Sequence, residues 1–111
     1  MRKLNLKDYT VKGKVKGGNG EIVEIEAPYH VKDSILNLMF MRELGLSGAE
    51  LVKQNVLAIK LETCSYDDIL LEEEEWERIK RAVDTFKGFN RNDVELVSRV
   101  TNAEVVELKI Q

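Results

Sequence analysis

Cysteine occurs once, at Cys64, so no disulfide can close within the chain and the composition asks for no oxidising compartment; a cytoplasmic location is expected. Histidine also occurs once, at His30, which removes any site that needs two imidazoles, and no CxxC pair accompanies Cys64 to make a zinc or redox centre. Long apolar runs are missing as well. No stretch approaches the ~20 apolar residues that cross a bilayer, and the basic start from Met1 to Asp8 leads into no apolar run of signal-peptide length. The glycines concentrate in Gly17-Gly18-Asn19-Gly20, but neither Lys-Ser nor Lys-Thr follows the Gly13 to Gly18 stretch, and the glycines lead into a strand pattern. A phosphate loop is excluded on both counts, and the run does not match GxGxxG. No cofactor and no metal are expected.

What is present fits one α+β domain over residues 1–111. A chain of this size buries roughly two-thirds of its unfolded surface, enough for a core without staples. Hydrophobic residues at 43% and charged residues at 33% lie well away from disordered composition. With 17 basic and 20 acidic residues the formal charge is −3, so the molecule as a whole offers no strong attraction to phosphate backbones. Basic residues do cluster locally, at Arg2, Lys3, Lys7, Lys12, Lys14 and Lys16.

Period-two alternation marks residues 9–15, with Tyr9, Val11, Gly13 and Val15 on one face and Thr10, Lys12 and Lys14 on the other. It resumes over 21–27, where Val23, Ile25 and Ala27 alternate with Ile22, Glu24 and Glu26. The glycine run between them predicts a β-hairpin with lysines across from glutamates. One apolar face then requires Val11, Val15, Val23 and Ile25 to be buried and Lys12 and Lys14 to be wet. Pro28 ends the second strand. Helical spacing of Ile35, Leu38 and Met39 predicts a helix over 31–44, capped by Asp33 or Ser34 and closed by Gly45. Ser47 and Glu50 have capping-box spacing, and Leu46 and Leu51 the positions of a hydrophobic staple, so a helix over 48–61 follows, burying Leu51, Val52, Val56 and Ile59. Ile69-Leu70-Leu71 is too short to classify by period. Trp76, Ile79, Val83 and Phe86 predict the next helix, ended by Gly88 in a Schellman turn that folds Phe89 onto Val83. Asn90 and Asp93 start a short helix carrying Val94, Val97 and Val100, and Val105 to Ile110 alternates as a last strand. The expectation is an N-terminal hairpin joined by the C-terminal strand in one small sheet, packed by about four helices.

None of these elements gathers a catalytic set, and a lone histidine at a strand-to-helix junction reads as structural. Asp67, Asp68 and Glu72 to Glu75 form the densest acidic stretch. Calcium loops place a glycine among their oxygen donors, and none occurs here, so a solvated helix start or a protein contact is the expectation. Trp76 heads an apolar stripe and reads first as core, second as an interface anchor. Leu38-Met39-Phe40-Met41 puts apolar groups around a whole helical turn, more than one packing face covers, which points to a sandwiched helix or an oligomer interface.

The segments from Leu70 to Val83 (Leu-Leu-Glu-Glu-Glu-Glu-Trp-Glu-Arg-Ile-Lys-Arg-Ala-Val) and from Phe86 to Glu95 (Phe-Lys-Gly-Phe-Asn-Arg-Asn-Asp-Val-Glu) resemble short uncharacterised proteins of tailed phages and prophages. That resemblance implies a genomic setting, with the cytoplasm of a host cell as compartment, in which small non-enzymatic proteins assist virion assembly or modify host machinery by contact. The leading expectation is a protein-interaction module, with self-association its simplest form and the interface at Leu38, Phe40 and Met41 or at Asp67, Asp68, Glu72 and Glu73. The alternative is nucleic-acid association through Lys12, Lys14 and Lys16, against which the nearby Glu21, Glu24 and Glu26 count. No membrane partner is expected.

Overall fold

The structure, a computed structural model, describes residues 1–107. Leu4 and Leu6 alternate with Lys3 and Asn5, and the chain there forms β1 (Arg2–Asn5), which buries Leu4 completely. The basic residues Arg2 and Lys3 mask this short alternation in the sequence. The predicted hairpin follows as β2 (Tyr9–Lys16) and β3 (Ile22–Tyr29), with Lys12 opposite Glu26 and Lys14 opposite Glu24. Its turn uses Gly20 at φ 86°, and Asn19 Oδ1 accepts from the Glu21 amide at 3.2 Å. The rest of the described chain runs α1 (Val31–Met39), a 3-10 turn (Arg42–Leu44), α2 (Gly48–Thr63), β4 (Asp68–Leu71), α3 (Glu73–Thr85), a second 3-10 turn (Arg91–Asp93), α4 (Val94–Thr101) and β5 (Glu104–Val105).

The strands form two sheets rather than one. In the first, β1 lies between β4 and β5, antiparallel to both, with Leu4 beside Ile69 and Arg2 beside Val105. The last strand therefore joins β1 and not the hairpin. Its place is fixed by the Val106 amide donating to the Met1 carbonyl at 2.8 Å and the Arg2 guanidinium donating to the Ala103 carbonyl at 3.1 Å. Leu108 and Ile110 lie outside the described residues. Ile69-Leu70-Leu71 resolves as strand, Ile69 and Leu71 facing the core and Leu70 the surface.

The core gathers Leu4, Leu6, Ile69 and Leu71 from the sheet with Val31, Ile35, Leu38 and Met39 of α1, Leu57, Ala58 and Leu61 of α2, Trp76, Ile79, Ala82 and Val83 of α3, and Leu96 and Val100 of α4. Trp76 donates from Nε1 to the Val100 carbonyl at 2.8 Å, so it is a core residue with its polar atom matched. Among the described residues every buried side-chain nitrogen and oxygen has a partner. No helix among them is long and apolar enough to cross a membrane.

Several local expectations are corrected. Helix α1 stops at Met39, five residues before the expected end, and the buried Gln54 amide donates at 2.9 Å to the Met39 carbonyl left free there. Gly45 is left-handed (φ 59°) as expected, but it closes the 3-10 turn. The cap of α1 is neither Asp33 nor Ser34: Asp8 reaches in from the β1–β2 connection and accepts from the Val31 amide at 3.0 Å. In α2, Ser47 accepts from the Glu50 amide at 3.2 Å, as its spacing predicts. The face of α2 turned inward is Gln54, Leu57, Ala58 and Leu61, while Leu51, Val52, Val56 and Ile59 lie outside. Helix α3 ends at Thr85 with Phe86 extended (φ −68°, ψ 134°), so there is no Schellman turn. Gly88 does have positive φ, 150°, but in the following loop, where Phe89 meets the Phe86 ring edge-on at 4.7 Å instead of Val83. In α4 the buried positions are Leu96 and Val100, with Val94 facing out.

Candidate interaction surface

The hairpin departs from its expected role. Alternation assigned it a buried face, yet Val15, Val23 and Ile25 are 44%, 46% and 39% exposed, and Val11 is only half-buried. Lys12 and Lys14 are exposed as expected. The reason lies in the sheet topology: among the described residues the hairpin pairs only with itself, and only the root of its apolar face, at Tyr9 and Tyr29, packs against the core. It projects as an arm. Eight residues per strand give it a length of about 26 Å. The Cα radius of gyration is 16.5 Å, against about 13 Å for a compact chain of this length, and the extents are 61 × 37 × 22 Å.

The root of the arm is built, not loose. Tyr9 and Tyr29, directly opposite in register, stack at 4.6 Å with their rings 11° from parallel. The Tyr9 hydroxyl donates to the Asn92 carbonyl and the Tyr29 hydroxyl to Asp93 Oδ1, both at 2.6 Å, at the turn that leads into α4. Burial, and then the Asp93 hydrogen bond, push the Tyr29 phenol well above its ordinary range. The guanidinium of Arg99 lies 5.1 Å over the Tyr9 ring, donates to the Asn5 and Lys7 carbonyls, and pairs with Glu95 at 2.7 Å. Asn90 orders the turn, its side chain accepting from the Asn92 amide at 2.8 Å while its own amide donates to Asp93 at 2.9 Å. Tyr9 and Tyr29 belong to the apolar face, so that face starts at α4 and runs outward along Val11, Val15, Val23 and Ile25. Beside Tyr9 to Lys12 an open cleft of about 710 Å³ separates β2 from Arg91, Val94 and Ser98. Among the described residues the outer edge of β2 has no strand paired to it.

The residues singled out from sequence fall elsewhere. Leu38 is buried with Met39, Met41 is half-buried and Phe40 is 41% exposed, so Leu38-Met39-Phe40-Met41 contributes mostly core and one surface ring. In the acidic stretch, Glu73 chelates Arg2 at 3.0 and 3.1 Å, Asp68 lies 3.8 Å from Lys3, and Glu75 accepts from both the Glu72 amide and Lys60 at 2.8 Å. These carboxylates are thus engaged within the molecule, while Asp67 offers its carbonyl to the Leu6 amide. Arg2 holds the Glu73 carboxyl below its usual range and lies 3.9 Å over the Trp76 ring. The lysines of the arm, Lys12 and Lys14, face glutamates in register, and Lys16 faces Ile22.

Titratable side chains do meet in one open cleft of about 530 Å³, lined by Asp8, His30, Lys32, Asp33, Cys64 and Asp67 among others. Their visible bonds are structural. Asp8 bonds His30 Nδ1 at 2.9 Å and the Val31 amide, and the His30 bond first and then the Val31 amide hold its carboxyl below the usual range. Lys32 donates to the Cys64 carbonyl at the end of α2, and Cys64 Sγ lies 3.6 Å from the Tyr66 carbonyl. No group of three or more metal-ligating side chains converges among the described residues. Sequence reasoning missed the arm as a surface because alternation reports that one face is apolar and says nothing about what covers it. Compared with known proteins, the chain matches no family model, no curated protein and no solved structure.

Proposed function

We propose that the chain is a non-enzymatic protein-interaction module that makes its contact through the projecting arm, in the setting the phage resemblance implies, that of an accessory or assembly-related protein. The observation that carries this reading is the uncovered apolar face of Val11, Val15, Val23 and Ile25 on a rigidly rooted ribbon. A two-stranded hairpin is marginal in water by itself, and a contiguous exposed apolar patch marks a contact surface. The body supports the same reading from the other side, because among the described residues its buried side-chain nitrogens and oxygens all have partners and none of the fully buried core residues comes from β2 or β3. Use of the arm on nucleic acid is disfavoured by the register, which sets Glu26 and Glu24 against Lys12 and Lys14 and cancels most of the basic face.

A photo-crosslinking residue placed at Val15 or Ile25 and expressed in the native host tests the reading, with the exposed position Glu43 as control. Crosslinks to protein, to another copy or to a different chain, are expected from the arm and not from position 43. An arm that captures no protein in the host would overturn it.

A further inference from the structure

Among the described residues β2 and β3 pair only with each other, which leaves the outer edge of each unpaired. On its polar face the β2 side carries Lys12, Lys14 and Lys16, and the β3 side carries Glu24 and Glu26. Two arms can meet edge to edge in two ways. Like edges, β2 on β2 or β3 on β3, are related by a two-fold axis and set lysines beside lysines or glutamates beside glutamates; neighbouring like charges on adjacent strands repel. Unlike edges, β2 of one copy on β3 of the next, set lysines beside glutamates, as within each arm. With the arms pointing the same way, every neighbouring pair of strands in that arrangement is antiparallel. It also leaves a free β2 edge at one end and a free β3 edge at the other, so the contact repeats until it closes.

We propose that copies of this chain join through their arms, β2 against the next copy's β3, into a closed ring with the lysine–glutamate face outside and the apolar face inside. This rests on the arm being a protein-contact surface. The apolar face decides the direction of closure, since Val11, Val15, Val23 and Ile25 then cover one another in the interior. About eight strands make a barrel whose interior side chains just fill, which corresponds to roughly four arms.

Light scattering coupled to size exclusion on the purified chain is expected to give a mass near four times 12.7 kDa; a monomer or a dimer would overturn the proposal. Charge exchange separates unlike-edge from like-edge pairing. Lys12→Glu with Lys14→Glu makes both edges acidic and should abolish the assembly. The fourfold exchange Lys12→Glu, Lys14→Glu, Glu24→Lys, Glu26→Lys preserves the pairs within the arm and should restore the wild-type mass, which also shows that loss in the first variant is not loss of the hairpin. Mixed with wild type, the exchanged chain should form separate rings, because its β3 lysines would meet wild-type β2 lysines. Preferential mixing of the two would instead show two-fold pairing of like edges and sink the idea. A monomer in solution whose arm still crosslinks to a different protein in the host would remove the ring and leave the interaction module standing.

Discussion

Gln54 is the one buried polar side chain among the described residues, and both ends of its amide are spoken for: Nε2 donates to the Met39 carbonyl at 2.9 Å and Oε1 accepts from Arg78 at 3.3 Å. Gln54→Ala strips the partner from a helix-end carbonyl in the core, and urea denaturation is expected to show a loss of about 1–3 kcal/mol. Gly88 is a second such point. At φ 150° an L residue is strained, and an added Cβ would sit 3.2 Å from the Phe86 ring, so Gly88→Ala should lower stability by about 1 kcal/mol. An unshifted midpoint would show that the 86–89 loop can re-form around it. The glycine was legible in the sequence and its reason was not, because positive φ serves a loop here and not a helix end. Asp8 shows the limit more sharply. Cap propensity identifies side chains near a helix start that can accept an amide, and so points to Asp33 and Ser34; it has no access to an acceptor 23 residues upstream, brought in by the path between β1 and β2.

Helix α2 is apolar on two opposite faces, and the one that packs is not the one expected from its spacing. Val52, Val56 and Ile59 recur at spacings of four and three as cleanly as Leu57, Ala58 and Leu61 recur on the other side, so periodicity has no means of deciding which stripe meets the body. Gln54 biases any reading against the true core face, since a polar residue there is tolerated only through the Met39 and Arg78 bonds. Val56→Lys and Ile59→Lys are expected to change stability by no more than about 0.5 kcal/mol. Leu57→Ala and Leu61→Ala should each cost about 2–5 kcal/mol in the same denaturation experiment. Equal losses from both sets would show that the outer stripe is covered in solution. By contrast α3 was legible almost to its end, because its apolar stripe is single and its opposite face is charged, and the hairpin was legible in strand, turn and cross-strand charge pairing. What alternation could not supply was the neighbour of the apolar face, a property of the whole topology.

At the scale of the molecule, acid should loosen the body. Hydrogen bonds from His30 hold the Asp8 carboxyl below its ordinary range, and those from Arg78 and Arg2 do the same for Glu50 and Glu73. A depressed folded-state pKa contributes stability that is fully present above the unfolded values near 4 and is lost as pH falls through the lower folded ones. The melting temperature is therefore expected to be flat from about pH 7 to 5 and to fall below about pH 4, with the fall reduced in Glu50→Gln and Glu73→Gln, whose plateau is lower. A melting temperature independent of pH down to 3 would contradict this. At the alkaline end Tyr29 has the opposite sign: its raised pKa gives stability that is complete below about pH 10 and declines above it, a decline that Tyr29→Phe should remove. The body that these ion pairs secure is assembled from both sides of the arm: β1 lies in the middle of its sheet, with β4 and β5 on either hand, while the described residues from Val31 onward supply the rest. The only covalent path between those two parts runs out along β2 and back along β3 through a tip where Gly18 and Gly20 have nothing within 4 Å of an added Cβ. A protease that cut the tip between Gly18 and Asn19 would sever the polypeptide without unseating either part. The short piece would stay held by Leu4, Leu6 and the pairing of β1 on both sides, so the two cut fragments are expected to elute together, and foreign sequence spliced in at the tip to leave their association untouched.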